Sequence, residues 1–159
     1  MADIIIDGTV RVTWATAVAN IAAPTTTELN AGMALEGTLT PDGLRGFQAE
    51  TAAVDTSSLA STFNTNLPGR ESYANMGLML KRQSGTDTIY NTLQKGTAGY
   101  VVIRRGVAAG TAWAAAQAVE VYPVTCGREQ HQDPEANSLW RYLVPLMLSA
   151  APNLRAAVA

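Results

Sequence analysis

Apolar and polar residues alternate over short stretches of this chain. Residues 9–16 read TVRVTWAT, in which single residues separate Val10, Val12 and Trp14. A period of two is typical of a strand that buries one face. Similar patterns predict further strands at residues 34–40, 44–51, 73–83, 98–107, 113–126 and 138–149. The strand at 113–126 either continues through Pro123 or breaks there, and its alanine-rich start also fits a helix.

Two of these strands are apolar on both sides at their centres. In the strand at 98–107, four consecutive apolar residues run from Tyr100 to Ile103. Because both sides need covering, this strand is expected at the centre of a sheet. The strand at 138–149 has a similar composition. Its Pro145 has no N–H for a ladder hydrogen bond, which predicts an edge position or a bulge.

Turn and helix signals lie between the strands. The Pro-Asp-Gly run at 41–43 predicts a tight turn that connects two strands. Thr26 or Thr27 is expected to cap a single helical turn through Glu28 and Leu29. The strongest helix is predicted over 86–95, with Ser84 or Thr86 as its cap.

These elements predict a mainly β fold. One well-formed helix between two strands packs on an open sheet face, which gives a β-sandwich or barrel with one flanking α-helix. A chain of 159 residues is typical of a single domain, so residues 1–159 are assigned to one.

Residues 52–72 interrupt the periodicity. This stretch is rich in Ser, Thr and Asn and contains a Pro-Gly pair, and it is predicted to be a long inter-strand loop. Loops longer than about 12 residues in compact domains are usually functional or disordered. Leu59, Phe63 and Leu67 are apolar positions that a solvated linker does not need.

The chain carries few charges. Charged residues make up 15% of it, against about 25% in an average soluble domain. Either the fold is simply rich in small residues, or much of its surface is interface, where Lys, Glu and Asp are depleted. The net charge of −2 argues against a nucleic-acid-binding protein, which normally carries a basic patch.

Catalytic and metal-binding signals are weak. Cys126 and His131 are the only cysteine and histidine, which excludes an intrachain disulfide and an ordinary zinc site. Their spacing has no catalytic meaning without an orienting group and an oxyanion hole. No phosphate-binding glycine motif is present. We therefore predict that the chain is not an enzyme and binds no cofactor or metal.

Two further features bear on location and binding class. Ile4–Ile6 form an apolar run between two aspartates, too short for a signal peptide or a membrane span. The simplest interpretation is a protein kept in the cytoplasm, or in a particle assembled there. Trp14, Trp113 and Trp140 fall on predicted strands with apolar neighbours, which favours core packing over a sugar-binding platform.

The linear order of these elements resembles that of a known family. The resemblance rests on PTTTELNAG at 24–32, VDTSSL at 54–59, PGR at 68–70 and YVVIRRG at 100–106. These motifs are similar to those of the major tail tube proteins of long, non-contractile-tailed bacteriophages. The likeness extends from about Ala23 to Leu148.

The resemblance implies a structural virion protein of the phage tail, assembled in the cytoplasm of the bacterial host. Six subunits would form a ring, and stacked rings would form the conduit for genome ejection. The inner strands would join into one ring-wide β-barrel. The loop at 52–72 and arms at 1–8 and 149–159 would reach neighbouring subunits. Expected partners are further copies of the chain, the tape measure, the tail terminator and the distal tail protein, with no membrane contact.

Candidate residues follow from these expected roles. The lumen candidates are Glu120, Glu50 and Gln48, the loop contacts are Leu59, Phe63, Leu67 and Arg70, and the interface charges are Arg104 and Arg105. Duplex DNA carries one negative charge per ~1.7 Å, so genomic DNA is expected to slide past a weakly negative wall without specific binding.

Three other functions remain open. One is the tube protein of a contractile tail or of a related secretion system. Another is a head–tail connector or tail terminator, which forms a single ring. The third is a β-sandwich that binds a small ligand or carbohydrate, for which a monomer with an aromatic pocket is expected.

Overall fold

The computed structural model describes residues 3–159, and 43% of the chain lies in strands and 7% in helices. The strands are β1 (Val10–Ala15), β2 (Met33–Ala34), β3 (Leu39–Arg45), β4 (Ala49–Asp55), β5 (Asn66–Tyr73), β6 (Gly77–Lys81), β7 (Ala98–Arg105), β8 (Ala118–Cys126), β9 (Gln130–His131), β10 (Arg141–Leu148) and β11 (Asn153–Ala157). The helices are α1 (Thr26–Ala31) and α2 (Thr88–Thr92). The prediction of a mainly β fold is confirmed.

Nine strands form one antiparallel sheet that curls into a half-barrel. Their order is β2-β1-β7-β8-β10-β6-β3, with β11 beside β8 and β9 beside β10. Strands β4 and β5 form a separate two-stranded sheet. The half-barrel therefore leaves one of its long edges at β3 and the other along β1, which the two-residue β2 covers only in part.

The sheet is buried on both faces at its centre. On one face, the main core gathers Trp14, Leu78, Tyr122 and other apolar side chains. On the other face of β7 and β8, a second core forms around Val102 and Val121. The prediction that the strand around Tyr100–Ile103 is central is confirmed, because its side chains alternate between these two cores.

Strand β10 is central, not an edge strand. Its first half pairs with β9 and its second half with β8, while β6 lies along the opposite side. Pro145 lies where the partner changes, so its missing N–H breaks no ladder on that side. Its carbonyl accepts a hydrogen bond from the Gly127 N–H at 2.7 Å. The prediction of an edge or a bulge is therefore corrected.

The predicted turn at 41–43 is a bulge within one strand. Leu39 lies opposite Leu80, and Leu44 lies opposite Leu78. Between these two pairs, β3 advances by five residues while β6 advances by only two. The extra residues bulge out, and Thr40 donates a hydrogen bond to Asp42 across them at 2.8 Å. The residues at 41–43 are thus typical of a turn, but the chain continues in the same direction as one strand.

Several other predicted strands have different bounds. Residues 35–38, predicted within a strand at 34–40, lie outside any strand between β2 and β3, and the strand predicted at 44–51 is divided between the end of β3 and the start of β4. The strand predicted at 73–83 is divided by Asn75, which has a φ of 53°. The strand predicted from Trp113 starts at Ala118, after an irregular segment in which Ala116 has a φ of 65°. Strand β8 then continues through Pro123 without a break.

Both helices are short and begin at polar caps. The cap of α1 is Thr25, in place of the predicted Thr26 or Thr27. Thr25 and Glu28 form a capping box, in which each side chain binds the other residue's backbone N–H. Asp87 caps α2 by accepting from the Tyr90 N–H, in place of the predicted Ser84 or Thr86. Helix α2 is also shorter than the predicted helix over 86–95.

The predicted loop at 52–72 is the larger part of a β-hairpin. Strands β4 and β5 pair from Ala49 and Tyr73 to Asp55 and Asn66, with a one-residue bulge on β5. We call residues 49–73 the hairpin. It shows no amphipathic period because almost all of its side chains are exposed on both faces.

The predicted terminal arms have different outcomes. Within 149–159, strand β11 pairs with β8, and Ala156 and Val158 are buried in the second core. That segment is thus part of the domain, and its prediction as an arm is corrected. Residues 1 and 2 of the other arm lie outside the described residues. Residues 3–8 have no regular structure, and Ile4–Ile6 are exposed.

The close approach of β1 to β7 yields a stability test. A Cβ at Gly99 would overlap the ring of Trp14, which is 1% exposed. We expect Gly99→Ala to lower the free energy of unfolding by about 1–3 kcal/mol, the usual cost of overpacking. Gly37→Ala is the control, because a Cβ at that position would meet nothing within 4 Å and the change should be small. Urea denaturation measures both, and equal losses would contradict this packing.

Candidate assembly surface

The hairpin exposes apolar side chains along its strands and at its tip. Val54 and Leu67 are cross-strand neighbours and are 50% and 59% exposed. Leu59 and Phe63, in the tip, are 108% and 75% exposed. The paired strands span about 20 Å at ~3.3 Å per residue. Because these apolar side chains are exposed to water, they add little to the stability of the free subunit. The hairpin is therefore a candidate binding element.

Hydrogen bonds within the tip hold its shape. The Thr56 N–H and hydroxyl both donate to the Thr65 carbonyl, at 2.8 and 2.9 Å. The Ser57 hydroxyl accepts from the Thr65 N–H at 3.1 Å. Hydrogen bonds from the side chain and backbone of Ser57 lower the pKa of Asp55. The apolar side chains of the tip are therefore presented by an ordered backbone.

Aromatic rings fix the base of the hairpin to the half-barrel. Phe47, just before the hairpin, and Tyr73, its last residue, meet the ring of Tyr122 edge-on, with centroids 4.9 and 6.1 Å away. The Tyr122 hydroxyl donates to the Glu120 carboxylate at 2.9 Å. Burial, followed by the charge of Glu120, raises the pKa of Tyr122. This anchor sets where the hairpin leaves the domain.

The three lumen candidates have different environments. Glu120 is half-buried and forms an ion pair with Arg105 at 2.9 Å, so its charge is compensated within the chain. Glu50 lies on β4, and Gln48 directly precedes that strand; both are exposed. The hydrogen bond that the Arg105 guanidinium donates to the Glu120 carboxylate raises the pKa of Arg105. The structure thus brings Glu120 together with Arg105.

Arg104 is buried, in contrast to the predicted interface charge. Its side chain is fully enclosed and donates to the carbonyls of Ala108, Thr111 and Ala112 and to the Gln117 side chain at 2.9–3.2 Å. Desolvation lowers the pKa of its guanidinium group. Because this group is inaccessible to another subunit, the assignment of Arg104 as an interface charge is corrected. Of the two adjacent arginines, only Arg105 is exposed.

A groove lies beside the base of the hairpin. It has a volume of about 740 Å³ and is lined by residues 71–73, 75–76 and 145–152. Met147 is 58% exposed in its wall. The groove joins the hairpin base to the C-terminal end of β10.

A second apolar surface lies at the opposite end of β10. Leu139 and Trp140 are 67% and 64% exposed and border a cleft of about 100 Å³ that Asp133 also lines. Trp140 was predicted to pack in the core, so that prediction is wrong for this residue. Trp113 is buried as expected but lies before β8, and the guanidinium groups of Arg11 and Arg104 each lie 4.9 Å from the centre of its ring.

Sequence reasoning missed the Leu139–Trp140 surface and the aromatic anchor. A signal for the first existed, because both residues follow a polar stretch and precede a strand whose core positions are already filled from Tyr142 onward. The anchor depends on residues far apart in the chain, and no local pattern brings Phe47 to Tyr122.

Cys126 and His131 are separated in the fold. They pair with Leu146 and Tyr142 of β10, four residues apart, so about 13 Å lies between them. Cys126 is buried, whereas His131 is exposed and lies 3.3 Å from the Tyr90 hydroxyl. This geometry forms no nucleophile–base pair. Within residues 3–159, no group of His, Cys, Asp and Glu is suited to a metal ion, and no helix is long and apolar enough to cross a membrane.

The exposed surfaces define the class of the protein. An ordered apolar hairpin, a second apolar surface and open sheet edges are features of a structural subunit that binds other protein chains. A family model described as phage tail tube protein matches residues 1–159. The chain therefore belongs to the phage tail tube protein family and is a structural component of the virion tail.

Comparison with solved structures agrees with this fold. A chain of the anti-feeding prophage baseplate, solved by cryo-electron microscopy with 6-fold symmetrisation, is similar with a TM-score of 0.62. The two chains are 11% identical over 96% of each. No curated protein matches the sequence.

The adjacent arginines give a matched pair of variants. Arg104→Met should lower the free energy of unfolding by about 2–4 kcal/mol, because it leaves buried carbonyls without donors. Arg105→Met removes an ion pair open to solvent and should cost no more than about 1 kcal/mol. Urea denaturation of the unassembled chain compares them. A larger loss for Arg105→Met would contradict the assigned contacts.

Burial makes the Cys126 thiol unreactive. It raises the pKa of the thiol from 9.0 to about 11. At pH 8 we expect Ellman's reagent to react at least about a hundredfold more slowly with the folded chain than with the urea-unfolded one. Above pH 9 the unfolded chain loses this proton first, so stability falls as the pH rises towards 11. Cys126→Ala should make that fall shallower. Rapid labelling of the folded chain would disprove the burial.

Proposed function

We propose that this chain is the tube subunit of a long, non-contractile phage tail. Six copies would form a ring, and stacked rings would form a channel for genome ejection. The observation that carries the proposal is the exposed apolar hairpin, on a chain that matches the tail tube family along its whole length. The 6-fold symmetrisation of the similar baseplate structure supports the ring size.

The open half-barrel supports closure between subunits. Unpaired strand edges are aggregation-prone in a monomer, and pairing them around a ring removes that liability. The two long edges, at β3 and along β1, would each meet a neighbour and extend the sheet into a ring-wide barrel. Assembly in the bacterial cytoplasm would then complete the barrel before the virion forms.

The proposed lumen is weakly negative. Glu50 and Gln48 are exposed beside the hairpin base, and Glu120 is compensated by Arg105. A wall without an uncompensated basic stripe would let DNA pass without binding phosphates. The chain would act without catalysis and without a cofactor. Its other partners would be the tape measure, tail terminator and distal tail proteins.

A second candidate is a subunit that forms one ring at the end of a tail. The similarity to a chain of a baseplate favours this alternative. The two functions differ in copy number, since a tube needs many stacked rings and a baseplate or connector needs one. A tube of a contractile tail or related secretion system would form the same kind of stack.

Assembly of the purified chain tests the proposal. Negative-stain electron microscopy should show long hollow tubes of stacked rings as the concentration rises. Leu59→Ala combined with Phe63→Ala should raise the concentration needed for tubes by about tenfold or more, because buried apolar anchors dominate such interfaces.

Thr62→Ala is the control for the hairpin variants, since Thr62 is exposed in the same tip and is not apolar. It should assemble almost like the original chain. Single rings that never stack would favour the baseplate or connector function. A chain that stays monomeric at all concentrations would contradict both.

A further inference from the structure

The base of the hairpin and the Leu139–Trp140 surface lie at opposite ends of strand β10. The groove that joins the hairpin base to β10 includes Met147 and Leu148. At the other end of the same strand, Arg141 pairs with Lys81, directly after Trp140. The seven residue steps of β10 separate these ends by about 23 Å. A subunit with two different binding surfaces at opposite ends joins its copies head to tail.

The Leu139–Trp140 surface has the character of a receiving site. Although the Trp140 side chain is 64% exposed, its carbonyl is fixed by a hydrogen bond from the Arg82 N–H at 2.8 Å. The backbone that carries the exposed Trp140 ring is therefore held in place, which reduces the conformational entropy lost when a partner binds the ring. Exposed tryptophans beside leucines are typical anchors of protein interfaces.

The charge and polarity of the Leu139–Trp140 surface are complementary to those of the hairpin. The hairpin tip from Thr56 to Thr65 contains no charged residue and presents Leu59 and Phe63. Nearer the base, Arg70 is exposed and forms no ion pair within residues 3–159. The cleft beside Trp140 contains Asp133, which is exposed and likewise has no ion-pair partner in the described chain.

We infer that the hairpin of one subunit docks on the Leu139–Trp140 surface of a second copy, with Leu59 and Phe63 against Trp140 and Arg70 near Asp133. The inference rests on the proposed function and names the receiving surface for the stacking contact. The groove at Met147 is the competing receiver. It lies at the same end as the hairpin base, so docking there would not place copies head to tail.

Directed cross-linking distinguishes the two receivers. Thr62→Cys places a thiol in the tip beside Phe63, Ser138→Cys places one beside Leu139, and Ser149→Cys places one in the groove. All three positions are exposed, while the native Cys126 is buried. Thr62→Cys chains are mixed with either partner variant, assembled and oxidised with copper phenanthroline. Non-reducing gels then show the disulfide-linked dimers.

We expect mixed dimers with Ser138→Cys at least about tenfold more abundant than with Ser149→Cys. Normal tubes with the reverse ratio, or with neither link, would overturn the receiving surface and leave the tube function intact. Absence of any multi-ring assembly from the unmodified chain would overturn the tube function and, with it, this contact.

A complementation experiment tests the direction of the contact. Trp140→Ala retains a complete hairpin, whereas Leu59→Ala with Phe63→Ala retains a complete receiving surface. Each variant by itself should need about a tenfold higher protein concentration than the original chain to form stacked rings. When rings of the two variants are mixed, they should form pairs of rings that grow no further. Leu154→Ala is the control, since Leu154 is an apolar residue that is 49% exposed on β11 and belongs to neither surface. Full-length tubes from Trp140→Ala at the original concentration would overturn the inference.

Discussion

Burial of strand β8 on both faces is the constraint on which the rest of the structure depends. Tyr122 and Val124 face the main core, while Val119 and Val121 face the second core. Along its edges, β8 pairs with β7 on one side and with β10 and then β11 on the other. The side chains of such a strand are mostly apolar, and its one charged residue, Glu120, is paired with Arg105. Strand β11 of the C-terminal segment covers the start of β8.

The same strand positions the surfaces that face outward. Tyr122 contacts the rings that anchor the hairpin, and β10, whose second half pairs with β8, runs from the Leu139–Trp140 surface to the groove at the hairpin base. Stability thus resides in the half-barrel, whereas the hairpin and the Leu139–Trp140 surface contribute little to it. Residues at these surfaces are free to serve contacts with other chains.

The chain has few charged residues, and some of them make contacts within the fold. Arg104 is bound by backbone carbonyls, and Arg105 compensates Glu120. The low charge content of the chain left open whether the surface is interface or merely rich in small residues. Exposed leucine, phenylalanine and tryptophan side chains on a member of a tail tube family favour the first explanation.

The sequence alone determined the mainly β class, the central position of the strand around Tyr100–Ile103 and the existence of both helices, because periodicity and caps are local signals. It also determined the apolar hairpin positions Leu59, Phe63 and Leu67. Only the tertiary structure decided that residues 52–72 form a hairpin, that Pro145 lies in a central strand, that Arg104 is buried and that Trp140 is exposed. A local pattern reports which side chains share a face, but pairing partners come from distant segments, and these decide which faces are covered.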